Sequence, residues 1–131
     1  LQPTAPPYGL EEFRTILEGV DNDSVIMADF DAGYRIPTIS GKVVAHMWPE
    51  TFVHNYSQRQ GDLVEFYNEN TTEIRRQEIL RNYQVQYILL SKSKLRVGDE
   101  RTEMSMAQFR DISNLGKVVK KTDDLFLIQV N

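Results

Sequence analysis

Three short apolar runs, VIMADF (25–30), KVVAHM (42–47) and QVQYILLS (84–91), constrain this chain most. Each is strand length, rich in β-branched or aromatic residues, and separated from the next by polar or helix-patterned sequence. Strands that are apolar on both faces belong inside a sheet covered on both sides. The intervening segments supply the cover. In GLEEFRTILEGV, Leu10, Phe13, Ile16, Leu17 and Val20 recur at helical spacing, and Glu11 and Glu12 sit in the first turn, where the helix dipole favours acids. Residues 62–67 (DLVEFY) read as helical, with Leu63, Phe66 and Tyr67 inward. Asn70 with Glu73 forms a capping-box pattern ahead of TTEIRRQEILRNY, whose apolar set is Ile74, Ile79, Leu80 and Tyr83. Ser105 with Gln108 is a second box, opening a short helix through Phe109 and Ile112 that ends near Gly116.

Val118 and Val119, the polar Thr122-Asp123-Asp124, and LFLIQV (125–130) read as a C-terminal β-hairpin. Residues 31–41 are irregular or weakly helical, 48–60 are loop, and SKSKLRVGDERTE (91–103) forms a polar loop that runs to Ser105. The expected fold is α/β: three-layer, with a mainly parallel, Rossmann-like sheet and an antiparallel C-terminal hairpin. With 131 residues the chain suits one domain. Residues 1–9, with Pro3, Pro6 and Pro7, read as a Pro-rich linker to something longer, and 10–131 as a single α/β domain.

Composition removes several function classes. Without cysteine there is no disulfide, thiolate metal site or Cys nucleophile, and two histidines leave no His-rich metal site. A net charge of -4 with scattered lysines and arginines gives no basic face for nucleic acid. No apolar run approaches the roughly 18–20 residues of a membrane-spanning helix.

Two stretches carry candidate chemistry. Asp29-Phe30-Asp31 closes the first strand. A carboxylate pair in that place suits a phosphatase-like hydrolase of the haloacid-dehalogenase type, in which the first Asp attacks phosphorus and the second handles a proton beside Mg²⁺. Ser91, after the third strand, sits where that type keeps a hydroxyl. Against it, Ala32-Gly33-Tyr34 lacks the small-hydroxyl pattern, and Asp123-Asp124 precede the last strand where such a metal site wants acids after one. The alternative is a turn in which Asp29 organises the loop and lines a cleft at the rim of the sheet. The second stretch is HMWPET (46–51). His46, the single Trp48, Glu50 and Thr51 follow a strand, where an indole stacks on apolar C–H groups and the polar groups take hydroxyls. Packing of Trp48 under its loop, with His46 and Glu50 bonding backbone, is the plainer fate of such residues.

Residues 33–44 (GYRIPTISGKVV), 46–51 and 79–91 (ILRNYQVQYILLS) together resemble a C-terminal domain of multi-pass bacterial membrane proteins. That type is classed with glycosyltransferases that use lipid-linked sugars. The resemblance spans residues 24–91. It implies a domain on the extracytoplasmic face of the cell membrane, partnered by the membrane-embedded portion of the same polypeptide. It further implies a glycan or lipid-linked sugar as ligand, and a catalytic acid elsewhere in the parent. By the same resemblance His46, Glu50 and Thr51 match the recurrent His and Glu-Thr positions, although Met47-Trp48 stand where a small residue is usual. The ligand-binding set expected at the rim is therefore Asp29, Tyr34, His46, Trp48, Glu50 and Thr51. The expectation includes no catalytic residue, no metal and no cofactor, and the remaining alternative is a protein-interaction module.

Overall fold

A computed structural model describes residues 8–33, 36, 42–43, 56–92, 94–97 and 101–131. In chain order the elements are α1 (Leu10–Leu17), β1 (Val25–Met27), α2 (Phe30–Gly33), β2 (Lys42–Val43), α3 (Tyr56–Tyr67) and α4 (Glu73–Asn82). They continue with β3 (Tyr87–Ser91), β4 (Lys94–Arg96), β5 (Arg101–Glu103), α5 (Met106–Ser113), β6 (Gly116–Lys121) and β7 (Leu125–Val130). The fold is mixed α/β. One sheet is ordered β2-β1-β3-β7-β6, with β2 a two-residue edge, and β4 and β5 form a separate antiparallel hairpin.

The main sheet is mixed rather than mainly parallel. β1 pairs parallel with β2 and with β3, but β7 pairs antiparallel with both β3 and β6. The C-terminal hairpin is present as expected. Its second strand does not lie at the edge; it slots between β3 and β6, because LFLIQV is the more apolar arm and its Leu125, Leu127 and Ile128 are buried. The lysine-bearing β6 takes the edge, where charged side chains stay in water.

Successive strand residues point to opposite faces, and the core follows that rule. Ile26, Leu89 and Leu127 pack with Phe13, Ile16 and Leu17 of α1 and with Ala32. Met27, Ile88, Leu90 and Ile128 pack with Phe66 and Tyr67 of α3, Ile79 and Leu80 of α4, and Ile112 of α5. Tyr8, within the stretch read as linker, is buried against Phe13.

Local signals match the structure in some places and not in others. Ser105 caps α5, accepting from Gln108 N at 3.0 Å. The cap of α4 is Thr72, which accepts from Arg75 N at 3.1 Å, not Asn70; Asn70 instead donates its N–H to Asn68 Oδ1. Ile74 is 70% exposed, and the inward position two residues later is held by Arg76 at 1%. Helix α3 begins at Tyr56, inside the stretch read as loop, and the polar loop after Ser91 holds the β4–β5 hairpin.

Candidate functional site

The parallel pairing of β2, β1 and β3 puts their C-terminal ends on one rim. Asp29 stands there, two residues past the end of β1. Its Oδ1 accepts the Ala32 N–H at 3.1 Å, and its main-chain carbonyl accepts Gly33 N–H at 2.7 Å, so it caps the one-turn α2. Its Oδ2 accepts the Arg96 N–H of β4 at 2.9 Å. Asp29 is therefore a buried bracket between α2 and the hairpin. Burial pushes its carboxyl up to about 7; Asp31 adds to the rise, while the two backbone N–H groups and Arg101 oppose it.

Asp31 faces the same hairpin. Arg101 of β5 grips it with two bonds, Nε to Oδ2 at 2.7 Å and Nη2 to Oδ1 at 3.0 Å. Arg96 Nη1 lies 3.8 Å from Oδ1. All three side chains are largely buried, and the Asp31 bond raises the pKa of Arg101. Fork-on-carboxylate pairing of this kind is strong and directional. We expect a double-mutant cycle of Asp31→Ala and Arg101→Ala to give a coupling of about 2 kcal/mol in chemical unfolding. A coupling near zero would mean that the fork does not hold the hairpin.

Tyr67 reaches the same place from α3. Its hydroxyl donates to the Leu89 carbonyl at 3.4 Å, just where β1 has ended and left that strand edge open. Burial, with the negative Asp29 nearby, raises its pKa well above the usual tyrosine value. Ser91 Oγ at the end of β3 is buried and makes no hydrogen bond with the described residues.

The Asp123-Asp124 turn also comes to this rim, because β7 runs antiparallel to β3 with Leu125 opposite Ser91. Lys92 N donates to the Asp124 carbonyl at 2.7 Å. Glu12 of α1 ties the turn down, accepting from Asp124 N at 2.7 Å and from the Thr122 hydroxyl. Chain order alone suggests that these acids stand at the wrong end of a strand; reversal of β7 brings them to the rim. Even so, no group of three metal-binding side chains occurs among the described residues.

Of the expected ligand set only Asp29 is among the described residues; Tyr34, His46, Trp48, Glu50 and Thr51 lie outside them. Sequence reasoning missed Arg96, Arg101 and Tyr67. The first two sit in the segment read as a polar loop. The alternation of Leu95 and Val97 with Lys94 and Arg96 was the available sign of a strand there. No protein-family model matches the chain, and no curated protein matches it. Among the described residues no helix is long and apolar enough to cross a membrane.

Proposed function

We propose that this chain is a non-catalytic accessory domain of a membrane glycosyltransferase-like protein. In this reading it stands on the extracytoplasmic face of the membrane, joined to the membrane-embedded part of the same polypeptide. Its rim binds a sugar or lipid-phosphate-sugar ligand, and its architecture is the three-layer, Rossmann-like type. The observation that carries the non-catalytic part is the engagement of both rim carboxylates. Asp29 commits its two oxygens to backbone N–H groups of Ala32 and Arg96, and Asp31 commits its two to Arg101. Each oxygen keeps a second lone pair, but Asp29 is 5% exposed and the Asp31 side chain 7%, so neither presents an oxygen to a phosphorus or Mg²⁺ arriving from solvent. The ligand-binding part is supported by the shared strand ends. β2 ends at Val43 on the rim of Asp29, and in sequence His46 and Trp48 follow within five residues.

Trp48 is the single tryptophan, so its emission reports on that segment alone. Titration with a short-chain prenyl phosphate, mannose and N-acetylglucosamine is expected to give a saturable change with at least one of them. A flat response to all three removes the ligand-binding part. Hydrolysis of p-nitrophenyl phosphate with Mg²⁺ is expected to be absent. Turnover that disappears in Asp29→Asn would establish the hydrolase in its place.

A further inference from the structure

The three parallel strands run in the order β2-β1-β3, so the chain leaves β1 toward one side and later returns to pair on the other. In open α/β sheets the crevice outside the strand ends at such a reversal is where ligands bind. Here it lies between the ends of β1 and β3. The last pair of these strands is Met27 with Ile88, and Ser91 stands three residues beyond it, at the end of β3.

Ser91 is 7% exposed, and its Oγ is buried without a hydrogen-bond partner among the described residues. The strand fixes which way it faces. Leu89, two residues back, and Leu125, its cross-strand partner, both belong to the cluster under α1, so Ser91 is on that face. A hydroxyl left unpaired among apolar side chains costs stability, and alanine would fill nearly the same space without that cost. Its partner must come from outside the fold, as an interior water or a bound group, and its place at the reversal favours a bound group.

The surroundings restrict what that group is. Ala28, Leu89 and Leu125 are apolar, and a charged group among them would lose hydration without gaining a counter-charge. A neutral hydroxyl offers one donor and spare acceptor capacity, which is what Ser91 itself offers. The oxygen is covered, so a ligand reaches it by parting the rim. At Ser91 this breaks no hydrogen bond of the side chain, whereas uncovering Asp29 or Asp31 breaks those to Arg96 or Arg101.

We propose that Ser91 Oγ is the inner contact for a sugar hydroxyl in the crevice between the ends of β1 and β3. The neutral sugar portion of the rim ligand, not its phosphate, enters between these strands. This rests on the reading of the rim as a sugar or lipid-phosphate-sugar site.

The ¹⁵N-labelled chain titrated with mannose, N-acetylglucosamine and a short-chain prenyl phosphate tests it. At least one sugar is expected to move the amides of Ala28, Ser91 and Lys92 saturably. Ser91→Ala should weaken that sugar about three- to tenfold, leave any binding of prenyl phosphate unchanged, and melt no lower than the parent. Sugar binding unaltered in Ser91→Ala would mean that an interior water only satisfies the hydroxyl; the proposal would fail while the rim reading stands. A loss confined to prenyl phosphate would put the anion at Ser91 and overturn it. So would a lower melting temperature in the variant, since the hydroxyl would then be holding the fold. A parent flat to all three probes removes the rim reading and this inference together.

Discussion

Replacing Arg76 with methionine is expected to cost about 3 kcal/mol of stability, which for a chain of this size lowers the melting temperature by roughly 10 °C. Arg76 belongs to α4, but its work is at the end of α3. Its Nε donates to the Phe66 carbonyl at 2.8 Å and its Nη2 to the Asn68 carbonyl at 2.6 Å. The last carbonyls of a helix have no partner within it, and the helix dipole makes that end negative. A guanidinium supplies both the donors and the charge. Burial lowers the pKa of Arg76, with Asp111 partly opposing this; the group stays cationic at any working pH, since an arginine starts far above it. Methionine fills much of the same volume, so the loss isolates the polar role. Arg76→Lys restores charge without the planar fork and should recover less than half. Urea unfolding of the three proteins checks this. A methionine variant within about 1 kcal/mol of the parent would show that water satisfies those carbonyls equally well.

Asp29 should give the chain an unusual pH dependence. Its folded pKa of about 7 lies above the ordinary 3.8. Between those values the folded state holds a proton that the unfolded chain has released. Stability from this group is thus complete below the lower value and lost as pH rises through the upper one. From about pH 5 to about pH 8 the loss amounts to roughly 2–3 kcal/mol. An asparagine side chain cannot titrate, so the Asp29→Asn variant is the reference. It keeps one acceptor for Ala32 or Arg96 but turns its amide N–H toward the other donor, a penalty of about 1–2 kcal/mol that is independent of pH. The stability advantage of the parent over this variant should therefore shrink, and can reverse, between acid and mild alkali. Unfolding both proteins in urea at the two pH values measures it. A gap that does not change with pH would place the Asp29 titration outside this window. Titrating groups that do not interact with Asp29 shift both proteins equally and cancel in the comparison.

Helix α1, strand β3, the Ser105 cap and the C-terminal hairpin were legible because each is written locally. A 3.6-residue apolar rhythm, an unbroken apolar run, a hydroxyl ahead of a helix and two β-rich arms around a polar turn need no distant partner to be recognised. The carboxylates of Asp29 and Asp31 were legible as a pair at a strand end, but not as to use. Each is claimed by hairpin groups 67 and 70 residues further along. Ile74 and Arg76 show the same limit. Hydropathy puts the isoleucine inside, and α4 does the reverse, because the α3 carbonyls need donors more than the core needs one further aliphatic side chain.

From the residues alone, then, came the alternation of helix and strand, the strand-end acids and the absence of thiol and His-rich chemistry. Only the tertiary structure decided that β7 inserts beside β3, that the acids bracket a hairpin, and that an arginine closes a helix end. The reason is physical. Periodicity and capping depend on neighbours within one or two turns, whereas strand order and the partner of a buried charge depend on which distant groups desolvation forces together.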